Sequence, residues 1–166
     1  MRKTIETILA TLIVPGGAVL LIQYLILTRT AHAWPVQIGF LQVLSLVGGI
    51  TGISMVIWVS YAFVQEGNGT PIPIDPPEHF VANGLFKVVR NPMYFGAIFV
   101  LFSEVIFFGS LWLALYACLL WLALHTFLVV FEEPQLKNRF GEPYQHYLES
   151  TPRWIPRLSR RAKPNA

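Results

Sequence analysis

Two stretches of this chain carry most of the residues able to do chemistry. The first, from Glu78 to Tyr94, holds Glu78, His79, Lys87, Arg90, Asn91 and Tyr94. The second is the adjacent pair Glu132-Glu133, which follows an apolar run ending at Phe131 and precedes Pro134. Two neighbouring carboxylates at the end of such a run are costly unless they meet water or a cation. One reading makes them solvated charges paired with Lys87 or Arg90; the other makes them a site for a cationic ligand. His125 lies inside the run itself, where a histidine faces protein or a cavity. Held by Tyr94 it is structural, and facing a substrate it could accept a proton. Cys118 is the lone cysteine, so an intramolecular disulfide and a CxxC metal site are excluded. It reads as a small buried hydrophobe.

The elements that must position these groups are helices in a bilayer. Hydrophobic residues make up 54% of the 166 and charged residues 13%, with a mean hydropathy of +0.54. Disordered chains have the reverse balance, and soluble domains carry about 25% charged residues. Four stretches approach the roughly 20 apolar residues a span requires: about 4–27, 39–64, 92–108 and 110–131. The last two turn at Gly109-Ser110, and Pro92 suits a first helical turn. Open sheets are excluded in lipid. The expected fold is therefore all-α and polytopic: a single domain with about four transmembrane helices in two hairpins and a cytoplasmic C-terminal helix. Its parts are a first hairpin over 4–64, a cytoplasmic loop over 65–91, a second hairpin over 92–131 and a tail over 132–166.

Lysine and arginine placement sets the orientation. With the N-terminus cytoplasmic, that side receives Arg2, Lys3, Lys87, Arg90, Lys137, Arg139, Arg153, Arg157, Arg160, Arg161 and Lys163, and the far side only Arg29. Both termini and the 65–91 loop are then cytoplasmic. This asymmetry also accounts for the net charge of +3, and no basic-aromatic nucleic-acid motif is present. Ala31-His32-Ala33 resembles a signal-peptidase site, but the preceding apolar stretch exceeds the usual 7–15 residues, which favours an uncleaved helix.

Folding the first hairpin about Ala33 sets Gly48-x-x-x-Gly52 level with Pro15 to Ala18, a small-residue face for close helix packing, and sets Gln23 level with Gln42. Pro15 is expected to kink the first helix. Folding the second hairpin sets Tyr94 opposite His125 and leaves Glu104 near the far turn, without a catalytic role. Phe140, Tyr144 and Tyr147 share one helical face, as a lid over the cytoplasmic mouth would.

Two motifs resemble the integral-membrane methyltransferases that include isoprenylcysteine carboxyl methyltransferase and phosphatidylethanolamine N-methyltransferase. One is Gly84-Leu85-Phe86-Lys87-Val88-Val89-Arg90-Asn91-Pro92-Met93-Tyr94-Phe95-Gly96; the other is Glu132-Glu133 followed by Phe140-Gly141-Glu142-Pro143-Tyr144-Gln145-His146-Tyr147. The ending Pro152-Arg153-Trp154-Ile155-Pro156 is similar too, and together the likeness spans about 76–157. It implies S-adenosylmethionine (SAM) as cofactor, bound at the cytoplasmic mouth by Glu78, His79, Phe80, Val81, Phe86, Asn91, Pro92, Met93, Tyr94 and Glu132. In this reading Glu132 takes the cofactor's ammonium while Tyr94 and Phe86 flank its adenosyl part; no GxGxxG loop is present to hold it in the dinucleotide manner. His125 and Arg90 are the catalytic candidates.

Asn91-Pro92-Met93-Tyr94 and Glu132-Glu133-Pro134 look closer to the phospholipid N-methyltransferases. The arginine that binds a prenylcysteine carboxylate in the carboxyl enzymes falls at Leu128. The resemblance thus implies a SAM-dependent membrane methyltransferase with a lipophilic or amphipathic acceptor. The rival is a non-catalytic transporter subunit or assembly factor on the same fold. A transporter would show matched broken helices in its two halves, and only Pro15-Gly16-Gly17 breaks one.

Overall fold

The computed structural model describes Gly17 and residues 19–30, 38–68 and 78–155. Pro15, Gly16 and Ala18, with the Ala31-His32-Ala33 site and the last arginine cluster, lie outside the described residues. Among the described residues the regular structure is entirely helical. Helix α1 covers Val19–Arg29, α2 Phe40–Gln65, α3 Pro92–Phe108 and α4 Leu111–Phe127. One π-helical turn, Leu128–Glu132, joins α4 to α5, Glu133–Phe140, and α6 follows at Glu142–Ser150. The helices α2 and α4–α5 are long and apolar enough to cross a membrane, while α1 and α3 are shorter apolar helices. Most large side chains of α2 are exposed, as an outward face toward lipid requires.

The buried positions of α2 are small: Ser45, Gly52, Val59, Ser60 and Ala62. That stripe packs on α3. A Cβ at Gly52 would lie 2.6 Å from the Gly96 carbonyl oxygen, and one at Gly96 would lie 2.8 Å from that of Gly52. The two backbones touch because neither residue has a side chain. The Gly48-x-x-x-Gly52 face thus serves α3, where the hairpin register had set it beside α1. Gln23 and Gln42 do not pair either. Gln42 bonds back to the Gly39 amide at 3.0 Å, whereas buried Gln23 hydrogen-bonds Glu104.

The second hairpin turns where expected. Gly109 ends α3 in the left-handed region (φ 60°), and the Ser110 side chain accepts from the Leu113 amide to start α4. Cys118 is exposed on α4 rather than buried, because Ala117 beside it takes the inward position. The C-terminal tail holds two helices instead of one. Gly141, at φ 62° and ψ −137°, sits in a region open essentially to glycine and breaks α5 from α6.

Candidate active site

The loop that enters α3 is built on a small aromatic core. Val81, Phe86, Tyr144 and Tyr147 are buried together with Val59 and Ala62 of α2. Phe80 meets Tyr144 and Tyr147 edge-on, at centroid distances of 5.4 and 5.1 Å. Phe86 packs against Phe63 and Trp58. Gly84 is required in this corner: its φ is +54°, and a Cβ there would come within 2.2 Å of the Trp58 ring.

This core moves several expected cofactor contacts to the interior. Phe86 is 6% exposed and Val81 5%, and Pro92 is fully buried. Buried Tyr144 and Tyr147, with Phe140 packed beside them, anchor α6 to the loop, where the sequence had suggested a lid. The Tyr147 hydroxyl donates to the Phe86 carbonyl at 2.8 Å, and burial pushes its phenol above the ordinary range, with Tyr144 adding to the effect. Glu78 and His79 are exposed; Glu78 accepts from the Asn68 side chain at 2.7 Å. Met93 packs against the core and Phe80 edges it. Phe80 also lines an open groove of about 800 Å³ with Lys87, His146 and Tyr147.

The two carboxylates divide sharply. Glu133 is clamped by two arginines. Arg153 donates to it through Nε at 2.9 Å and Nη2 at 2.8 Å, and Arg90 through Nη1 at 3.1 Å. Arg90 also donates from Nε to the Thr151 carbonyl at 2.6 Å and from Nη2 to the Leu148 carbonyl. Lys87 takes no part in the ion pair. Arg90 therefore ties the α3 entrance to α6 and to the strap that follows it, residues 151–155. Burial alone would raise the Glu133 carboxyl, but the hydrogen bonds and charges of Arg153 and Arg90 outweigh it and hold the group below the usual carboxylate range.

Glu132 points the other way, toward the start of α3. It accepts from the Tyr94 hydroxyl at 2.9 Å and from the Asn91 side-chain amide at 3.3 Å. Both partners are neutral, and no lysine or arginine among the described residues pairs with it. Lying just past Phe131, at the end of the apolar run, it is raised above the usual carboxylate range. Burial is the largest cause; the bonds from Tyr94 and Asn91 oppose it, and Glu133 adds to it. Glu132 ends a π-helical turn, a local irregularity common at functional sites.

Tyr94 and His125 do not meet as the hairpin register suggested. Tyr94 is engaged by Glu132, and His125 Nδ1 accepts from the indole of Trp154 at 2.9 Å. Trp154 and Arg153 were missed as site residues. Their signal was the Pro-Arg-Trp-Ile-Pro ending, whose tryptophan and arginine have no helical or strand periodicity to give them a place. Among the described residues no cluster of histidine, cysteine, aspartate or glutamate could hold a metal ion.

A family model described as phospholipid methyltransferase matches residues 40–143, well over half of the chain. The chain belongs to the phospholipid methyltransferase family. The match runs from α2 to the start of α6 and so covers both carboxylates and the whole entrance to α3. It places the protein among membrane methyltransferases. No curated protein and no solved structure matches the chain.

Proposed function

We propose that this single-domain phospholipid methyltransferase family member is SAM-dependent and methylates a lipid amine. The reading rests on one observation: Glu132 is a half-buried carboxylate at the membrane edge with two neutral donors and no cationic partner among the described residues. Such a group suits a ligand that brings its own positive charge, and SAM carries an ammonium and a sulfonium. Tyr94 and Asn91 hold the carboxylate in place for that ligand, while the Glu133–Arg90–Arg153 clamp keeps the surrounding helices together. The buried Phe86, Val81 and Pro92 support these groups from behind.

SAM, when bound, supplies an electrophilic methyl group. The amine enters as its free base, having released its proton to the cytoplasmic water. Its nitrogen lone pair forms the new bond to carbon as the carbon–sulfur bond breaks and that electron pair stays on sulfur. The protein's part is to bring donor and acceptor into line and to exclude water.

Leu128 supports an amine over a prenylcysteine. It is 3% exposed and offers no charge to a carboxylate arriving from lipid, and a buried unpaired charge is strongly disfavoured. Both termini and the 65–91 loop face the cytoplasm in this reading, which puts the arginine-rich side with the cofactor. The test is a competition assay in detergent with labelled SAM, phosphatidylethanolamine and a farnesylcysteine analogue. Labelling of the phosphatidylethanolamine is expected, and labelling of the farnesylcysteine alone overturns the acceptor assignment. Titration calorimetry with SAM tests the cofactor separately.

A further inference from the structure

We infer that His125, locked by Trp154, is a fixed N–H donor that positions the acceptor through an oxygen of its head group, and is not the acceptor's base. The inference rests on the function proposed above. An indole nitrogen can only donate. Because Trp154 donates to Nδ1 at 2.9 Å, that nitrogen presents its lone pair, and the one proton of the neutral ring sits on Nε2. Nε2 makes no hydrogen bond among the described residues, so the free end of the ring is a donor. A ring poised to take a proton from an amine would offer a lone pair there.

The ring cannot turn over easily. Trp121, one helical turn earlier, stacks on it at 5.5 Å and 18°, and Trp154 lies against it at 6.2 Å and 40°. Trp154 is held in turn by its neighbour Arg153, bidentate on Glu133. The arginine clamp therefore reaches the imidazole through one residue of strap, and this explains why an irregular segment is pinned so firmly.

The two indoles also line an apolar groove of about 300 Å³ with Phe95, Phe99, Phe102 and Cys118. Its deep end, at Phe102 and Cys118, lies at the level of the hydrocarbon, and its other end reaches Trp154 beside His125. The occupant that fits is the hydrocarbon chain of the acceptor lipid, lying along the groove. Its head group then falls at His125, roughly 10 Å along the helix from Glu132 at 1.5 Å per residue. A neutral N–H at that level suits an ester or phosphate oxygen.

The test uses the full-length protein in mixed micelles, with phosphatidylethanolamine and octadecylamine as acceptors; octadecylamine has no head-group oxygen. His125→Phe is expected to raise KM for phosphatidylethanolamine at least tenfold with kcat changed less than threefold, and to leave KM for octadecylamine within threefold. His125→Gln, which restores an N–H near the Nε2 position, is expected to recover most of the loss. A fall in kcat at unchanged KM, or equal damage with both acceptors, overturns the inference. Nitrogen-15 NMR of labelled histidine reads the tautomer without any turnover. A proton on Nε2 is expected in the wild type, and one on Nδ1 overturns the inference whatever the activity. Wild-type protein that binds SAM but methylates neither acceptor overturns the amine assignment and the head-group contact with it. In that case a proton on Nε2 locates the failure in the acceptor and not in the His125–Trp154 lock.

Discussion

Glu132 and Glu133 are adjacent in sequence and alike in chemistry, yet they belong to two different machines. Glu133 meets two guanidiniums and is drawn below its ordinary titration range, whereas Glu132 meets a phenol and an amide and is pushed above it. The difference lies in which element each faces. Glu133 looks to the strap after α6, which brings Arg153, while Glu132 looks to the first turn of α3, which brings Asn91 and Tyr94. A carboxylate whose charge is already matched holds a fold together. One whose charge is unmatched is available to a ligand.

Substituting each member of the pair should break a different property. Glu133→Ala leaves Arg90 and Arg153 partly buried without their counter-charge. Removing one partner of a buried pair costs 3–5 kcal/mol, and because Arg153 is 29% exposed the low end, about 3 kcal/mol, is expected. At about 2–4 °C per kcal/mol for a chain this size, the melting temperature in detergent should fall by roughly 6 °C or more. A fall under about 2 °C would mean that the clamp is ornamental.

Glu132→Gln should do the opposite. It keeps the shape and loses only a charge with neutral partners, so the melting temperature should stay within about 2 °C at a stability change under about 1 kcal/mol. The dissociation constant for SAM, measured by calorimetry, should rise more than tenfold, or about 1.4 kcal/mol. Binding within threefold of wild type would remove Glu132 from the cofactor site.

Tyr94→Phe sharpens the comparison by deleting one neutral hydrogen bond. A bond of this kind contributes about 1 kcal/mol, so SAM binding should weaken about fivefold with little change in stability. An effect as large as that of Glu132→Gln would mean that the hydroxyl itself touches the ligand.

The smallest effect is in the pH dependence, where the two carboxylates have opposite signs. Glu133 is lowered in the fold, so its contribution is complete above the unfolded value of about 4.3 and is lost as pH falls through the lower folded value. Glu132 is raised, so its ionised form costs stability above its folded value, and protonation relieves that cost as pH falls. Glu133→Gln should therefore flatten the acid limb of the melting curve, and Glu132→Gln should steepen it. The same slope in both variants would show that the partners do not set the titration.

Much of the architecture was legible because it follows from local rules. The α3 boundaries fall where Pro92 and Gly109 put them, and the start of α4 where Ser110 caps it. Apolar length and the two motif blocks were enough to indicate helices in a membrane and the family. The pairings across helices were less legible. Register arithmetic set Tyr94 beside His125 and Gln23 beside Gln42 because it carries depth and no azimuth, and residues at one depth can face away from each other.

The sequence by itself determined that this is an apolar helical chain, that carboxylates stand at the exit of one helix, and that an Arg-Asn-Pro entrance lies at the start of another. Composition, spacing and capping act over a few residues, so they can be read without coordinates. Only the tertiary structure decided which carboxylate is matched and which is not. That depends on Arg153 and Trp154, twenty or more residues beyond both glutamates, returning over α4 through a strap without periodicity. It depends also on the first turn of α3 lying where it offers Glu132 Asn91 and Tyr94. Among the described residues the charge on Glu132 stays uncompensated because of where the chain folds back.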